Sequence, residues 1–380
     1  MHRFDFPPAK LPDDVHELRH EVRAFLHETI ATRTPLERAE SWMGFDVDFS
    51  RAMGERGWIG MTWPRAYGGH ERSALHRYVV LEEMLAAGAP VAAHWIADRQ
   101  SGPTLLRYGS SFQRSLILPR IAAGTCFFCI GMSEPSSGSD LAAVRTRAEP
   151  VEGGFRVSGT KVWTTYAHRS HYMILLARTS PGERQEGLTQ FLVDLTLDGI
   201  TISPILDISG AHHFNEVHFN DVFLPADSII GSPGDGWKQV MGELAFERSG
   251  PERFLSSFTL LKELVRTAGR QPSAAACEAV GRLTAHLMVL RRLSSSVAGM
   301  LQQGLDPQLD AAVVKDLGAV FEQEIPEIAR RLVASEPSLS SMSSFLNVLA
   351  YTTLSAPSFS LRGGTREILR GIIARGLGLR

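Results

Sequence analysis

Apolar residues recur along this chain with two different periods, and the changes of period divide it. Val15, Leu18, Val22 and Phe25 fall on one helical stripe behind Asp13 and Asp14, two candidate capping residues, which predicts an amphipathic helix over residues 13–30. Helical spacing continues from 45 to 125, with stop or turn signals at Trp63-Pro64, Gly68-Gly69, Gly88-Ala89-Pro90 and Gly102-Pro103. Arg107-Tyr108-Gly109 closes one helix, and Phe112 through Ile121 forms the next. From 126 to 235 the texture becomes short β-prone runs: Phe155–Gly159, Tyr172–Ala177, Thr189–Leu195, Ile200–Ile205 and Glu216–Phe223. The last of these alternates imperfectly, which fits a strand with one covered face. Gly231-Ser232-Pro233-Gly234-Asp235-Gly236 then reads as a hinge and helix start, with no Rossmann strand-to-helix context around its glycines. Helical stripes return as Trp237/Val240/Met241/Leu244, Val280/Leu283/Leu287/Leu290 and Val313/Leu317/Val320. Pro326 is predicted to kink or split the third of these helices, and Ser335 to Ser344 to form a loop. The expected fold is therefore α+β: an N-terminal helical domain (1–125), a middle β-barrel-like domain (126–235) and a C-terminal four-helix bundle (236–380).

Composition narrows the classes of function. With 380 residues, 44% of them hydrophobic and 21% charged, the chain can bury a large core. A formal net charge of -2, with no block of like charges, argues against a nucleic-acid partner. No apolar run reaches membrane-spanning length and Met1–Asp5 does not open a signal peptide, so no membrane partner and a cytoplasmic location are expected. Three cysteines cannot build a disulfide framework. Cys126-x-x-Cys129 has apolar flanks, Phe127, Phe128 and Ile130, and reads as buried thiols in preference to a redox or zinc motif. His168, His171, His212 and His213 lack acidic or thiolate partners at ligand spacing, so no metal is expected.

The densest chemistry lies between Gly131 and Ala143, Gly-Met-Ser-Glu-Pro-Ser-Ser-Gly-Ser-Asp-Leu-Ala-Ala. Small side chains and backbone N–H groups there could cradle an anion, although such runs between apolar segments are commonly plain turns. Together with Val162-Trp163-Thr164-Thr165 some twenty residues on, the run resembles the flavin loop and flavin-facing strand of the acyl-CoA dehydrogenase family. The resemblance extends from Trp63-Pro64 and Tyr67-Gly68-Gly69 to Gly363-Gly364-Thr365 and Gly376-Leu377-Gly378-Leu379, nearly the whole chain.

That resemblance implies FAD as cofactor, an acyl-CoA as substrate, oxidation to the trans-2-enoyl-CoA, and an electron-transfer flavoprotein as electron acceptor. It places Met132 and Ser133 at the flavin edge, and Gly138 and Ser139 in the loop that holds the cofactor, with Ser139 at the pyrophosphate or the thioester's pantetheine arm. Trp163 would cover the ring, core packing being the alternative reading, and Thr165 would bond near the hydride-accepting nitrogen. Gly364 and Thr365, at a helix N-terminus, would meet a phosphate. The familiar base, a glutamate before the last Gly-Thr, is replaced here by Gly363, whose N–H could still polarise the thioester carbonyl. Glu367 falls one turn into the following helix and reads as an N-terminal helix charge. In isovaleryl-type and long-chain-type members the base sits on the first long helix of the C-terminal region. That alignment puts Glu247 at the catalytic position beside Arg248, a substrate-side arginine. A solvated helix glutamate paired with a neighbour is the alternative for Glu247, and Glu134 reads as structural.

Two departures bear on assembly. The Arg-x-x-Phe-Gly stretch that holds a neighbouring subunit's adenine is replaced by Gly269-Arg270-Gln271-Pro272-Ser273, and Ser340 to Leu354 stands where a Gly-Gly-x-Gly segment usually lies. This pattern resembles bacterial heterotetrameric members, some acting on steroid side-chain thioesters. A homologous second subunit in an α2β2 assembly is therefore expected, with a homo-oligomer as the alternative. Two other readings stay open on the sequence: a flavin oxidase or monooxygenase of the same fold, and a non-catalytic subunit that completes a partner's site.

Overall fold

The computed structural model describes residues 4–182 and 184–379, with the side chains of 243–247 excepted. In chain order its helices and strands are α1 (Val15–Ile30), α2 (Pro35–Glu40), α3 (Val47–Glu55), α4 (Ala74–Ala87), α5 (Ala92–Ile96), α6 (Gly102–Tyr108), α7 (Ser111–Ala122), β1 (Phe128–Gly131), β2 (Arg147–Val151), β3 (Gly154–Thr165), β4 (Tyr172–Arg178), β5 (Leu188–Asp194), β6 (Ile200–Ile205), β7 (Phe214–Pro225), α8 (Gly236–Glu247), α9 (Phe258–Ala268), α10 (Ala274–Gln302), α11 (Gln308–Arg331), α12 (Ser344–Phe359) and α13 (Arg366–Gly376). A helical first part, a sheet-bearing middle and a last part of several helices follow one another, as the hydrophobic periods predict. Among the described residues no helix is long and apolar enough to cross a membrane.

The chain forms two compact units, one of residues 1–49, 72–92 and 245–380, the other of 50–71 and 93–244. In the second, a seven-stranded sheet runs β1-β4-β2-β3-β7-β6, with β5 paired to β4. β1 lies parallel to β4, from Phe128 opposite Tyr172 to Gly131 opposite Leu175. Two of these strands, β1 and β2, are not foreseen from the sequence: each is short, and β2 carries Arg147, Glu149 and Pro150 in an exposed-buried-exposed pattern. The sheet's inner face closes over Cys129, Val157, Met173, Phe191, Val217 and Phe219. Burial pushes the Cys126 thiol up to about 11 and raises Cys129 as well, which leaves both as inert packing groups.

Around this sheet Trp63 is gripped by glycines. A Cβ on Gly69 would stand 2.2 Å from the Trp63 carbonyl oxygen, and one on Gly102 2.3 Å from the indole ring. Gly69→Ala is expected to destabilise by about 3 kcal/mol, the cost of overpacking where backbone must move, read as a lower urea midpoint. Gly102-Pro103 does not stop the helix as a turn signal would: α5 passes through a π-turn, Ala97–Ser101, straight into α6. Pro103 thus falls just past the π-turn inside a continuous helix, where the widened turn takes up the residue that has no N–H to donate.

In the other unit α1 buries Val15, Leu18, Val22, Phe25, Leu26 and Ile30, the expected stripe. Asp14 precedes it but makes no cap bond; its carboxylate is drawn instead to His76 at 2.9 Å and Arg72 at 3.3 Å. Three further expectations are corrected. Met241 on α8 is exposed, and Leu244 has its side chain outside the described residues. On α11 the buried stripe is Ala311, Val314, Gly318, Phe321 and Ile325, while Leu317 is exposed, because small residues bring this helix close to its neighbours. Pro326 does not split α11. It cannot donate to the Glu322 carbonyl, and the Ser257 hydroxyl donates to that oxygen instead at 2.9 Å, so the orphaned acceptor is satisfied.

Candidate functional site

The Gly131–Ala143 run leaves β1 as a self-braced loop. Glu134 and Ser137 exchange backbone bonds of 2.7 and 3.0 Å, and the Ser137 hydroxyl donates to the Asp140 carbonyl at 2.6 Å. Ser136, Gly138 and Ser139 are left facing outward, and a Cβ on Gly138 would meet nothing within 4 Å. Met132 turns the other way and packs against the cluster of Val144, Leu176, Leu188 and Val240.

Glu134 anchors this loop from below. Its carboxylate accepts from the Arg145 and Thr146 amides at 2.6 and 2.9 Å and from the Lys161 ammonium at 2.8 Å. Burial alone would raise its pKa, but Lys161 and these donors outweigh burial and hold the carboxyl below the usual glutamate value. A buried carboxylate held ionised by an ammonium and two amides is a poor acceptor for a substrate proton, in keeping with a structural role.

Beside the loop, β3 is bulged between Lys161 and Thr164 in its pairing with β7. Trp163 occupies the bulge with a φ of 58°, an uncommon conformation for a bulky residue, and is 60% exposed. Its indole meets Phe214 edge-on at 6.0 Å. Core packing is thus not the role of Trp163. A large flat apolar face, held outside the core by backbone in the left-handed region, next to a loop presenting serine and glycine, fits a flat cofactor with a phosphate tail. Thr165 lies two residues on, half-buried opposite Phe214.

The other unit holds the remaining motif residues. Gly363 and Gly364 have φ of 68° and 95° and deliver the chain to α13, where the Thr365 hydroxyl accepts the Ile368 N–H at 3.4 Å as N-cap. A Cβ on Gly363 would stand 2.8 Å from Nη2 of the buried Arg253, and one on Gly364 3.9 Å from Nη2 of the buried Arg248. Two guanidinium groups therefore face this turn. Arg362, just before it, is pinned by Glu322 at 2.8 Å, the Glu252 carbonyl at 3.0 Å and the Ser256 hydroxyl at 2.6 Å, with its guanidinium carbon 4.2 Å from the Trp42 ring centroid and 4.9 Å from that of Phe359. Glu367 is fully exposed, and its pKa is lowered first by its own backbone N–H and then by Thr365, as a first-turn helix charge should be. Glu247 ends α8, and its side chain lies outside the described residues.

The histidines have local partners. His168 and His212 stack at 3.8 Å and both bond to Asn215, at 3.0 and 2.8 Å; His213 bonds to Asp207 at 2.9 Å; His171 accepts the Phe127 N–H at 3.1 Å.

Family models place this architecture. "Acyl-CoA dehydrogenase, N-terminal domain" matches residues 12–125 and "Acyl-CoA dehydrogenase, middle domain" matches 129–222. The chain is 34% identical over 379 residues to "Acyl-CoA dehydrogenase IpdE1" of Mycobacterium tuberculosis, covering 96% of this chain and 98% of that one. The chain belongs to the acyl-CoA dehydrogenase family. Its fold matches the "Tcur3481-Tcur3483 steroid ACAD" with a TM-score of 0.87 at 25% identity, covering 99% of this chain and all of that one. It matches the "ChsE4-ChsE5 complex from Mycobacterium tuberculosis" with a TM-score of 0.84 at 28% identity, covering 98% and 99%. This acyl-CoA dehydrogenase shares the family's cofactor, FAD, which the exposed indole and open serine loop fit.

Lys161, Arg253 and Arg362 are the residues that sequence reasoning missed around these motifs. The available signal was a lysine inside a β-run and two arginines beside glycine-rich or aromatic segments, which only burial turns into anchors.

Proposed function

We propose that this acyl-CoA dehydrogenase removes the α-proton of an acyl-CoA through Glu247 while the β-carbon is oxidised, giving the trans-2-enoyl-CoA. What carries this reading is Gly363. Glycine stands where many members carry the glutamate base, and its φ of 68°, with the Arg253 guanidinium 2.8 Å from where a Cβ would stand, makes the turn one that suits glycine. A carboxylate must then come from elsewhere, and Glu247 at the end of α8 is the residue the family pattern offers.

Bound FAD would supply a hydride acceptor. The chain's own residues account for the rest of the proposal. Met132, Ser133, Gly138 and Ser139 bind the cofactor along the loop, with Ser139 also serving the thioester's pantetheine arm. Trp163 covers the ring and Thr165 donates toward its edge. The Gly363 N–H polarises the thioester carbonyl, which acidifies the α-proton. Arg248 serves the substrate side, and Gly364 and Thr365, at the N-terminus of α13, receive phosphate. An electron-transfer flavoprotein is the proposed electron acceptor.

The acyl group is proposed to be steroid-derived and the working unit a hetero-oligomer with a homologous subunit, in α2β2 form. Support comes from the eroded adenine motifs: Gly269 is spent as the left-handed cap of α9 and Ser273 as the N-cap of α10, and Ser340–Leu354 spans a loop and the first turns of α12. The named complexes among the structural relatives are in line with it. Purified alone, the chain is expected to be flavin-poor; with its partner, anaerobic addition of acyl-CoA thioesters from short branched to steroid-sized should bleach the flavin absorbance, with slow recovery in air. A flavin-replete homotetramer would sink the hetero-oligomer, and a flavin that no thioester bleaches would sink the dehydrogenation.

A further inference from the structure

We propose that Lys161 and Glu134 act as one positioning pair, which registers the Met132–Ser133 backbone against the bulge that turns Trp163 outward. The inference rests on the flavin reading of that loop. Lys161 is 0% exposed, and its ammonium donates to the Met132 carbonyl at 3.0 Å and to the Glu134 carboxylate at 2.8 Å. The next residue of β3, Val162, donates its N–H to the Ser133 carbonyl at 2.9 Å. The residue after that is Trp163, in the left-handed region. Two successive strand residues thus hold two successive loop residues, and the third is thrown outward. The far end of the loop is tied to the same carboxylate through the Arg145 and Thr146 amides.

A buried ion pair is weak evidence for stability, because desolvation offsets most of the attraction. Direction is what this one supplies. An ammonium aims two donors at fixed points, one of them a backbone carbonyl in the loop, while the carboxylate gathers amides from the loop's other end; an apolar pair of the same volume would fill the space and orient nothing. On the elements packed around the pair, β4 contributes Arg178, engaged with the Val144 and Ala142 carbonyls, and β7 contributes His218, engaged with Thr160. Glu134 is the group that acts on the Lys161 proton, opposing burial, which still pushes the lysine down to about 8.

The sign of the pH effect separates this role from a general contribution to folding. Below pH 8 the ammonium clamps the loop. Between about 8 and the ordinary lysine value of 10.5 the folded lysine is neutral while the unfolded one is still charged, so this group favours folding more as pH rises. The clamp, however, is lost over the same range. Flavin affinity should fall where stability does not.

The test titrates the full chain, combined with its partner subunit, with FAD on either side of pH 8, following flavin fluorescence, for wild type and Lys161→Met. Wild type should lose about tenfold in affinity above pH 8, the scale of one charge-assisted bond, while K161M should bind about tenfold more weakly at neutral pH with no step. Amide exchange at Val162, Arg145 and Thr146 in the wild type, across the same pH range, gives an answer even if K161M folds poorly: those amides should open above pH 8. Equal affinity and equal pH profiles in the two proteins, or amides that stay protected, would overturn the pair's role. If the wild-type complex with its partner takes up no FAD at all, the flavin reading of the loop falls with it, and the exchange data still decide whether the pair holds the loop.

Discussion

Glu247→Gln, in the chain combined with its partner subunit, is expected to lower turnover of acyl-CoA by about 10² to 10⁴-fold, the usual contribution of a positioned general base. The amide keeps the size and hydrogen-bonding reach of the carboxyl but cannot take a proton, so flavin content and substrate binding should be retained while proton abstraction fails. Glu367→Gln is the matching control. Glu367 is fully exposed and spent on the start of α13, and its loss should leave turnover unchanged. Unaltered turnover in Glu247→Gln would remove the base assignment and favour a subunit that merely completes its partner's site.

The largest stability effect is expected at Glu322. Its side chain is wholly buried, bonds Arg362 at 2.8 Å through one oxygen and accepts the Ser256 N–H at 2.9 Å through the other. Burial lowers the Arg362 pKa against the raising effect of Glu322, which shows that the guanidinium depends on this carboxylate in an environment that disfavours charge. Glu322→Ala removes the carboxylate bonded to that buried cation, and the expected loss is about 3–5 kcal/mol, far above the lost contact itself. The thermal midpoint should drop by roughly 4–6 °C, because an unfolding entropy of about 2.1 cal/mol/K per residue gives about 1.3 °C per kcal/mol for a chain of 380 residues. Glu327→Ala, on the same helix but in an exposed pair with Arg330 at 2.9 Å, should cost under about 0.5 kcal/mol, because solvent screens that bond. Equal effects from the two variants would contradict the buried-pair account. Since Arg362 stands next to Gly363, Glu322→Ala should also weaken substrate binding if any folded protein is recovered.

Much of the architecture can be read from period and punctuation. α1 and β6 occupy the predicted stretches because a 3.6-residue stripe and a bounded β-prone run each have one sensible backbone. The misreadings have physical causes. α11 shows an apparent stripe of Val313, Leu317 and Val320, yet its close-packed face is built on Ala311, Gly318 and Ala319, where small size matters more than hydropathy. Pro326 is legible as a helix breaker; the Ser257 hydroxyl that repairs the break comes from a residue far away in sequence. The Gly131–Ala143 loop is legible by its spelling, but the Lys161–Glu134 pair beneath it brings together residues 27 positions apart, and no local pattern announces that.

By itself the sequence determined the family, the α-β-α succession and the motif residues, because period, turn chemistry and motif spelling are local properties of the chain. Tertiary structure decided that Trp163 faces outward, that Glu134 is engaged by Lys161 and two amides, and that the Arg253 guanidinium lies against Gly363. Those outcomes depend on burial and on which distant groups meet. Desolvation and steric exclusion act between residues only once the fold has brought them together, so neither can be read along the chain.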